Sequence, residues 1–250
     1  KTEMSYIEKQ AKILSEITEI PEQEILADLE NKLKEGYSEP GAVMVWKSEH
    51  KQQLGAGESR YFVGRVIGKS TIRESSYGEY GFVGFLVYDD GILEVKQAAF
   101  SKSAVPKIEL LKIDHVYEFK AYEKSDGALN RIRGIKEVED NRVPRVQELT
   151  SYDFAFPLLK DAQQLVGTTQ LLHGWVGRVI KSRNTGEVIG FEFGDEETLV
   201  PITCWGQYVP DEVKEQLQEI EAGDEVFHYS YLNVDSQGNL TANINGIFKA

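Results

Sequence analysis

The sequence predicts a mainly β chain in which two tandem five-stranded barrels follow an N-terminal helical hairpin. Three observations predict it. Val63-Gly64-Arg65-Val66-Ile67 returns as Val176-Gly177-Arg178-Val179-Ile180, 113 residues later. The echo continues in order: Gly81-Phe82-Val83-Gly84-Phe85 is answered by Gly190-Phe191-Glu192-Phe193, and Asp114-His115-Val116-Tyr117 by Asp224-Glu225-Val226-Phe227. Between these anchors the apolar pattern has period two, with β-branched and aromatic residues, which is the pattern of strands. A repeat of this length is too long for a solenoid and fits two copies of one small domain.

Residues 1–38 read as the helical segment. Tyr6, Ile7, Ala11, Ile13, Leu14 and Ile17 keep a helical rhythm to about Ile20. Pro21 opens a second helix at a first-turn position, with Glu22 and Glu24 where the dipole favours anions. Ile25, Leu26, Leu29 and Leu33 form its stripe and Gly36 ends it. Residues 39–58 hold Pro40, Gly41, Gly55 and Gly57 around a short apolar insert, Val43-Met44-Val45-Trp46, and read as a linker. The first barrel occupies 59–138, with strands expected at 61–68, 81–88, 92–100, 116–123 and 129–137 and a helical turn at Lys107–Lys112. Residues 139–170 form a connection with a helix expected over Leu158–Val166. The second barrel occupies 171–250, with strands at 172–181, 189–195, 199–205, 225–232 and 239–248. Its helix, Pro210–Ile220, lies between the third and fourth strands. Three strands, a helix and two more strands is the order of the OB fold.

The third strand of each barrel carries the most chemical information. In Ile92–Phe100, Leu93, Val95 and Ala99 are expected to fill the barrel, leaving Glu94, Lys96, Ala98 and Phe100 on the other face. In the second barrel Val200, Ile202 and Cys204 share one face and Pro201, Thr203 and Trp205 the other. An aromatic on the polar face, twice, suits a platform on which a base stacks, worth about 1–3 kcal/mol. Arg65 and Arg178, mid-strand at matching positions, suit a phosphate or a base face. Lys96 shares its face with Phe100, whereas the second barrel has Pro201 there. The loop after strand one offers Lys69, Arg73, Tyr77 and Tyr80 in the first copy and Lys181 and Arg183 in the second. The loop and strand that follow the fourth strand add Lys124, Arg131 and Arg133 in the first copy only.

The net charge of −13 at first argues against a polyanion partner. It is unevenly spread: residues 1–40 carry −5, residues 59–138 carry +2 and residues 170–250 carry −8. The first barrel is therefore expected to dominate nucleic-acid affinity, and the second to bind it weakly or face a protein. A lone cysteine, Cys204, and four scattered histidines give no disulfide and no metal-ligand spacing, so no metal or cofactor is expected. No phosphate loop, nucleophile elbow or metalloprotease motif is present, and the expectation is a non-enzyme. No membrane-length apolar run or signal pattern occurs, so a reducing cytoplasmic compartment, associated with the nucleoid, is expected.

The run from Gly-Arg-Val in strand one, through the acidic turn Asp195-Glu196, to Ile202-Thr203-Cys204-Trp205-Gly206 resembles the DNA-binding OB domains of replication protein A. The helical opening around Ile20-Pro21-Glu22-Gln23-Glu24-Ile25 is similar to the start of archaeal members of that family. The resemblance implies single-stranded DNA binding in replication, repair and recombination. It also implies stacking on Trp205 and Phe100, DNA contact by Lys96 and the strand-one arginines Arg65 and Arg178, and other subunits or repair proteins as partners. Two departures stand out: the stacking aromatic expected between strands four and five is missing, with Tyr122 only an approximate candidate, and the zinc module of some members is absent. The residues alone leave two alternatives open, an OB scaffold that binds proteins and an RNA-binding protein.

Overall fold

Helix α1 (Tyr6–Thr18) starts where the Ser5 hydroxyl accepts from the Glu8 N–H at 3.3 Å, and ends at Glu19 in the left-handed region. Helix α2 (Glu22–Lys34) follows Pro21, with acids in its first turn and Lys32 and Lys34 in its last. A third helix, α3 (Glu39–Glu49), then occupies most of the stretch that reads as a linker, so the hairpin becomes a three-helix unit. Pro40 and Gly41 look like breakers in sequence, but proline is compatible with a first helical turn. Gly41 is there because space is short: a Cβ would lie 2.7 Å from Oδ2 of Asp161. Val43 and Trp46 close a separate small core with Ile7, Leu14, Ile25 and Leu29. Gly55 and Gly57 of the expected linker lie outside the described residues, since this computed structural model describes 4–50, 53–54, 58–198 and 200–250.

The first barrel is built from β1 (Glu58–Lys69), β3 (Gly78–Asp89), β4 (Ile92–Ser101), β5 (Val116–Glu123) and β6 (Leu129–Glu137). A short strand, β2 (Arg73–Ser75), extends β3 into a ribbon by pairing Arg73 with Tyr80. Strand β1 pairs with both β3 and β5, and the ring closes through the parallel contact of Ala98 with Leu129. Helix α4 (Lys107–Leu110) lies between β4 and β5. The second barrel repeats this order with β7 (Thr169–Lys181), β8 (Val188–Gly194), β9 (Ile202–Trp205), β10 (Glu225–Val234) and β11 (Leu240–Lys249). Again the third and fifth strands pair parallel, Ala242 beside Cys204, and a helix, α6 (Asp211–Gln218), precedes the fourth strand. Both copies are therefore OB barrels. Strand β9 is shorter than the expected 199–205: Leu199 is outside the described residues, and Pro201 has no N–H to give a ladder. The helix expected over Leu158–Val166 is a 3-10 turn at Leu159–Asp161 followed by one turn of α-helix, α5 (Ala162–Leu165).

One continuous apolar core runs through both barrels. The seam depends on missing side chains. Tyr229 of β10 is buried against Gly68 and Gly84, where a Cβ would come 2.7 Å from its Cδ1 and 2.5 Å from its Cζ respectively. Gly246, opposite Tyr229 in the β10–β11 ladder, leaves room for the Ile67 carbonyl. Lys69 and Glu212 add an ion pair across the seam at 3.1 Å, and the same carboxylate accepts from the Ile113 N–H at 2.7 Å.

The alternation expected for β4 is out of phase. Ala98 and Phe100 face the first barrel's interior, Phe100 at 1% exposure, while Ala99 is exposed. Apolarity misleads here because the outer face also meets protein: Gln97 accepts a hydrogen bond from the Tyr229 hydroxyl of the second barrel at 3.4 Å. Val95 and Gln97 line the outer face, so an apolar residue no longer marks the inside.

Candidate nucleic-acid interface

A cleft of about 1270 Å³ runs between the barrels and beneath α3. Its second-barrel wall is a row of side chains on three adjacent strands. Tyr231 on β10 stands opposite Asn243 on β11, and Asn243 opposite Trp205 on β9. All three line the cleft. The residues between them, Ala242, Ile244 and Cys204, turn inward to the core. The indole lies beside Gly190, where a Cβ would sit 3.1 Å from its Cε3, so glycine lets the ring lie flat on the sheet. Two strand spacings separate Tyr231 from Trp205, about 9–10 Å. Tyr208 follows at the mouth of the cleft with 84% exposure. The opposite wall carries Arg73 and Tyr80 of the β2–β3 ribbon.

Four of the residues singled out in sequence, Arg73, Tyr80, Lys96 and Trp205, thus meet in one cleft. The others do not. Phe100 is in the core and offers no ring face; the outward position at that end of β4 is Ala99. Arg65 is committed to the chain itself: its guanidinium donates to the carbonyls of Asp114 (2.6 Å), Val143 (2.9 Å) and Pro144 (2.9 Å). It clamps the connection to the first barrel rather than a phosphate. Lys69 is spent in the inter-barrel seam. Lys96, although in the cleft, is 7% exposed and paired with Glu123 at 2.6 Å and Glu94 at 3.3 Å. Burial opposes its charge, but those two carboxylates hold the ammonium pKa above its ordinary value. Arg131 is exposed, in left-handed backbone, over the Tyr122 ring at 5.9 Å, away from the cleft.

On the second barrel the cations stay accessible. Arg178 has a 71% exposed side chain and touches Glu192 at 3.1 Å; Glu192 is opposite Thr203, next but one to Trp205. Lys181 and Arg183 are exposed at the end of β7 and in the loop after it. Tyr208, Tyr231 and Asn243 went unread in the sequence. For Tyr231 and Asn243 the signal was the alternation of β10 and β11, which sets both on the face opposite Ser230, Leu232, Ala242 and Ile244. Among the described residues no cluster of His, Cys, Asp and Glu could hold a metal ion, and no helix is long and apolar enough to cross a membrane.

No protein-family model matches this sequence, and no relative is found among characterised proteins. Solved structures with a similar fold include the HINa domain of Ifi202 in complex with 20-bp double-stranded DNA, at 14% identity and TM-score 0.41, covering 78% of this chain and 98% of that one. The HIN1 domain of p202 with a 12-mer double-stranded DNA aligns at 15% identity and TM-score 0.42, over 78% of this chain and 96% of that one. A replication protein A heterotrimer bound to single-stranded DNA aligns at 16% identity and TM-score 0.39, over 76% of this chain and 49% of that one. The OB assignment rests on the strand order of the two rings, not on these likenesses.

Proposed function

We propose that the chain binds single-stranded DNA, in the manner of replication protein A, and protects it during replication, repair and recombination. The observation that carries this reading is the row Tyr231, Asn243 and Trp205 on one outer face of the second barrel. Two rings flank an amide there, and a strand of bases can stack on rings of any sequence context. Arg178, Lys181 and Arg183 lie on the same barrel, exposed, to meet phosphates. Arg73 and Tyr80 face the row across the cleft.

This reverses the expected ranking of the barrels. The first is the more basic by composition, yet its Arg65, Lys69 and Lys96 are engaged internally. The second is acidic overall but keeps its cations and rings free of the core. Arg73, Arg178 and Arg183 act here as backbone contacts and Trp205 as a base contact; Phe100 takes no part.

The test is fluorescence anisotropy with a labelled ~20-nucleotide poly-dT strand at two salt concentrations. Binding that weakens with salt, and by about 1–3 kcal/mol in Trp205→Ala, is the expected result. Absence of binding by the unaltered chain at low salt would overturn the reading. The −8 charge of residues 170–250 would then favour a scaffold that binds other proteins.

A further inference from the structure

The outer face of β3, β1 and β5 carries three rings, none of which lines the cleft. Tyr88 on β3 is opposite Val63, two residues after Tyr61 on β1. Tyr61 is opposite Lys120, two residues before Tyr122 on β5. Tyr88, Tyr61 and Tyr122 therefore follow one diagonal across three strands, in steps of about 7–8 Å. Each ring has a cation against it: Arg142 at 5.0 Å from Tyr88, Lys120 at 5.5 Å from Tyr61 and Arg131 at 5.9 Å from Tyr122. Tyr61 is 70% exposed. We propose that this face is a second site for single-stranded nucleic acid, with bases on the three tyrosines and the backbone along Lys120, Arg131 and Arg133.

The backbone of β6 is deformed in a way that serves such a site. Between the pairs Tyr122–Asn130 and Lys120–Arg133, β6 has one residue more than β5. This bulge holds Arg131 at a φ of 52°, in the left-handed region that costs a residue with a side chain. It also turns both Arg131 and Arg133 to solvent around the buried Ile132. Strained residues and bulges that re-aim side chains gather at functional sites.

Charge and shape select the ligand. Carboxylates near the arginines are engaged elsewhere: Glu123 by Arg60 and Lys96, and Glu137 by His115. Arg142 is matched by Asp140 at 2.6 Å. Glu118 and Asp90 line a hollow of about 310 Å³ that Tyr61 and Tyr88 also line. Carboxylates there accept from the N–H groups of a base edge and leave phosphates to the arginine end. Rings at a regular step suit successive bases, whereas an acidic peptide would use the charges alone.

The ligand class rests on the function proposed above, and two sets of substitutions separate the sites. Trp205→Ala/Tyr231→Ala disables the cleft row. Tyr61→Ala/Arg131→Gly disables the diagonal and keeps the fold, since Tyr61 is exposed and glycine suits the left-handed position. Anisotropy is read with the same labelled poly-dT strand at low salt. The cleft-disabled chain is expected to keep salt-sensitive binding, and to lose affinity about tenfold when the diagonal is disabled as well. A loss of less than about threefold would overturn the second site. So would absence of binding by the cleft-disabled chain where the unaltered chain binds. Displacement of the strand from the cleft-disabled chain by poly-glutamate at equal charge would overturn it too, because charge alone would then account for the binding. Binding indifferent to the cleft substitutions but lost with the diagonal supports this site and removes the cleft row. An unaltered chain that binds no strand removes both.

Discussion

Replacing Gly84 by alanine adds one methyl group where the two barrels meet. Gly84 has no left-handed backbone, so alanine meets no conformational penalty, and in a strand it would ordinarily help. The cost comes from the neighbour. The new Cβ would lie 2.5 Å from Cζ of Tyr229, against an ordinary carbon–carbon separation of about 3.5–4.0 Å. The ring has to shift by about 1 Å, and it is buried between Gly68, Gly84 and the β11 strand, so no free space receives it. Overpacking of this kind costs about 1–3 kcal/mol. Tyr229→Ala alone leaves a cavity and costs about 3–5 kcal/mol. In the double variant the methyl group enters the space the ring vacated and the clash disappears. Urea unfolding of the four proteins is therefore expected to show non-additivity of about 1–3 kcal/mol, the double variant being more stable than the sum of the singles predicts. Additivity within about 0.5 kcal/mol, or a neutral Gly84→Ala, would refute the account of the seam.

Two further outcomes follow from buried groups. Phe100→Ala is expected to destabilise the chain by about 3–5 kcal/mol in the same urea assay, as deletion of a core ring does. Phe100→Leu, which keeps most of the volume, should bind poly-dT like the unaltered chain, and a stacking-sized loss of affinity there would return Phe100 to the interface. His228 is fully buried, its ring edge-on to Phe193 at 4.3 Å and its Nδ1 2.7 Å from the Ser230 hydroxyl; burial lowers its pKa to about 3. Below pH ~6.5 the unfolded chain takes up a proton that folded His228 refuses. Stability should fall as pH drops from there towards 3, by up to about 1.4 kcal/mol per unit. Glu94, whose lowered pKa stabilises the fold above pH ~4.5, adds its own loss only below that value. Comparison of unfolding curves for the unaltered chain and His228→Gln between pH 6.5 and 4.5 isolates the histidine; parallel slopes would contradict its buried neutral state.

Local pattern determined a good deal of this protein. The repeated Gly-Arg-Val segments, the period-two runs and the helix before each fourth strand were enough for two OB rings, because strand order and turn chemistry are written in neighbouring residues. The face of Trp205 was also legible: Ile202 and Cys204 form the inner face of β9, and the outer face of that strand is open to a cleft. Alternation failed at β4 for a physical reason. There the second barrel meets the outer face at Gln97, both sides of the strand hold apolar residues, and the expected phase slips so that Phe100 falls outside and Ala99 inside. The cations of the first barrel show the same limit. Arg65 and Lys69 have the residue type and position of phosphate contacts, but the groups that engage them, Pro144 and Glu212, are distant in sequence. Whether a charge is free depends on what folds back onto it, and residue 41 makes the point most simply. Its glycine reads as a linker residue, yet it lies in α3, and the close carboxylate of Asp161, 120 residues on, is what excludes a side chain there.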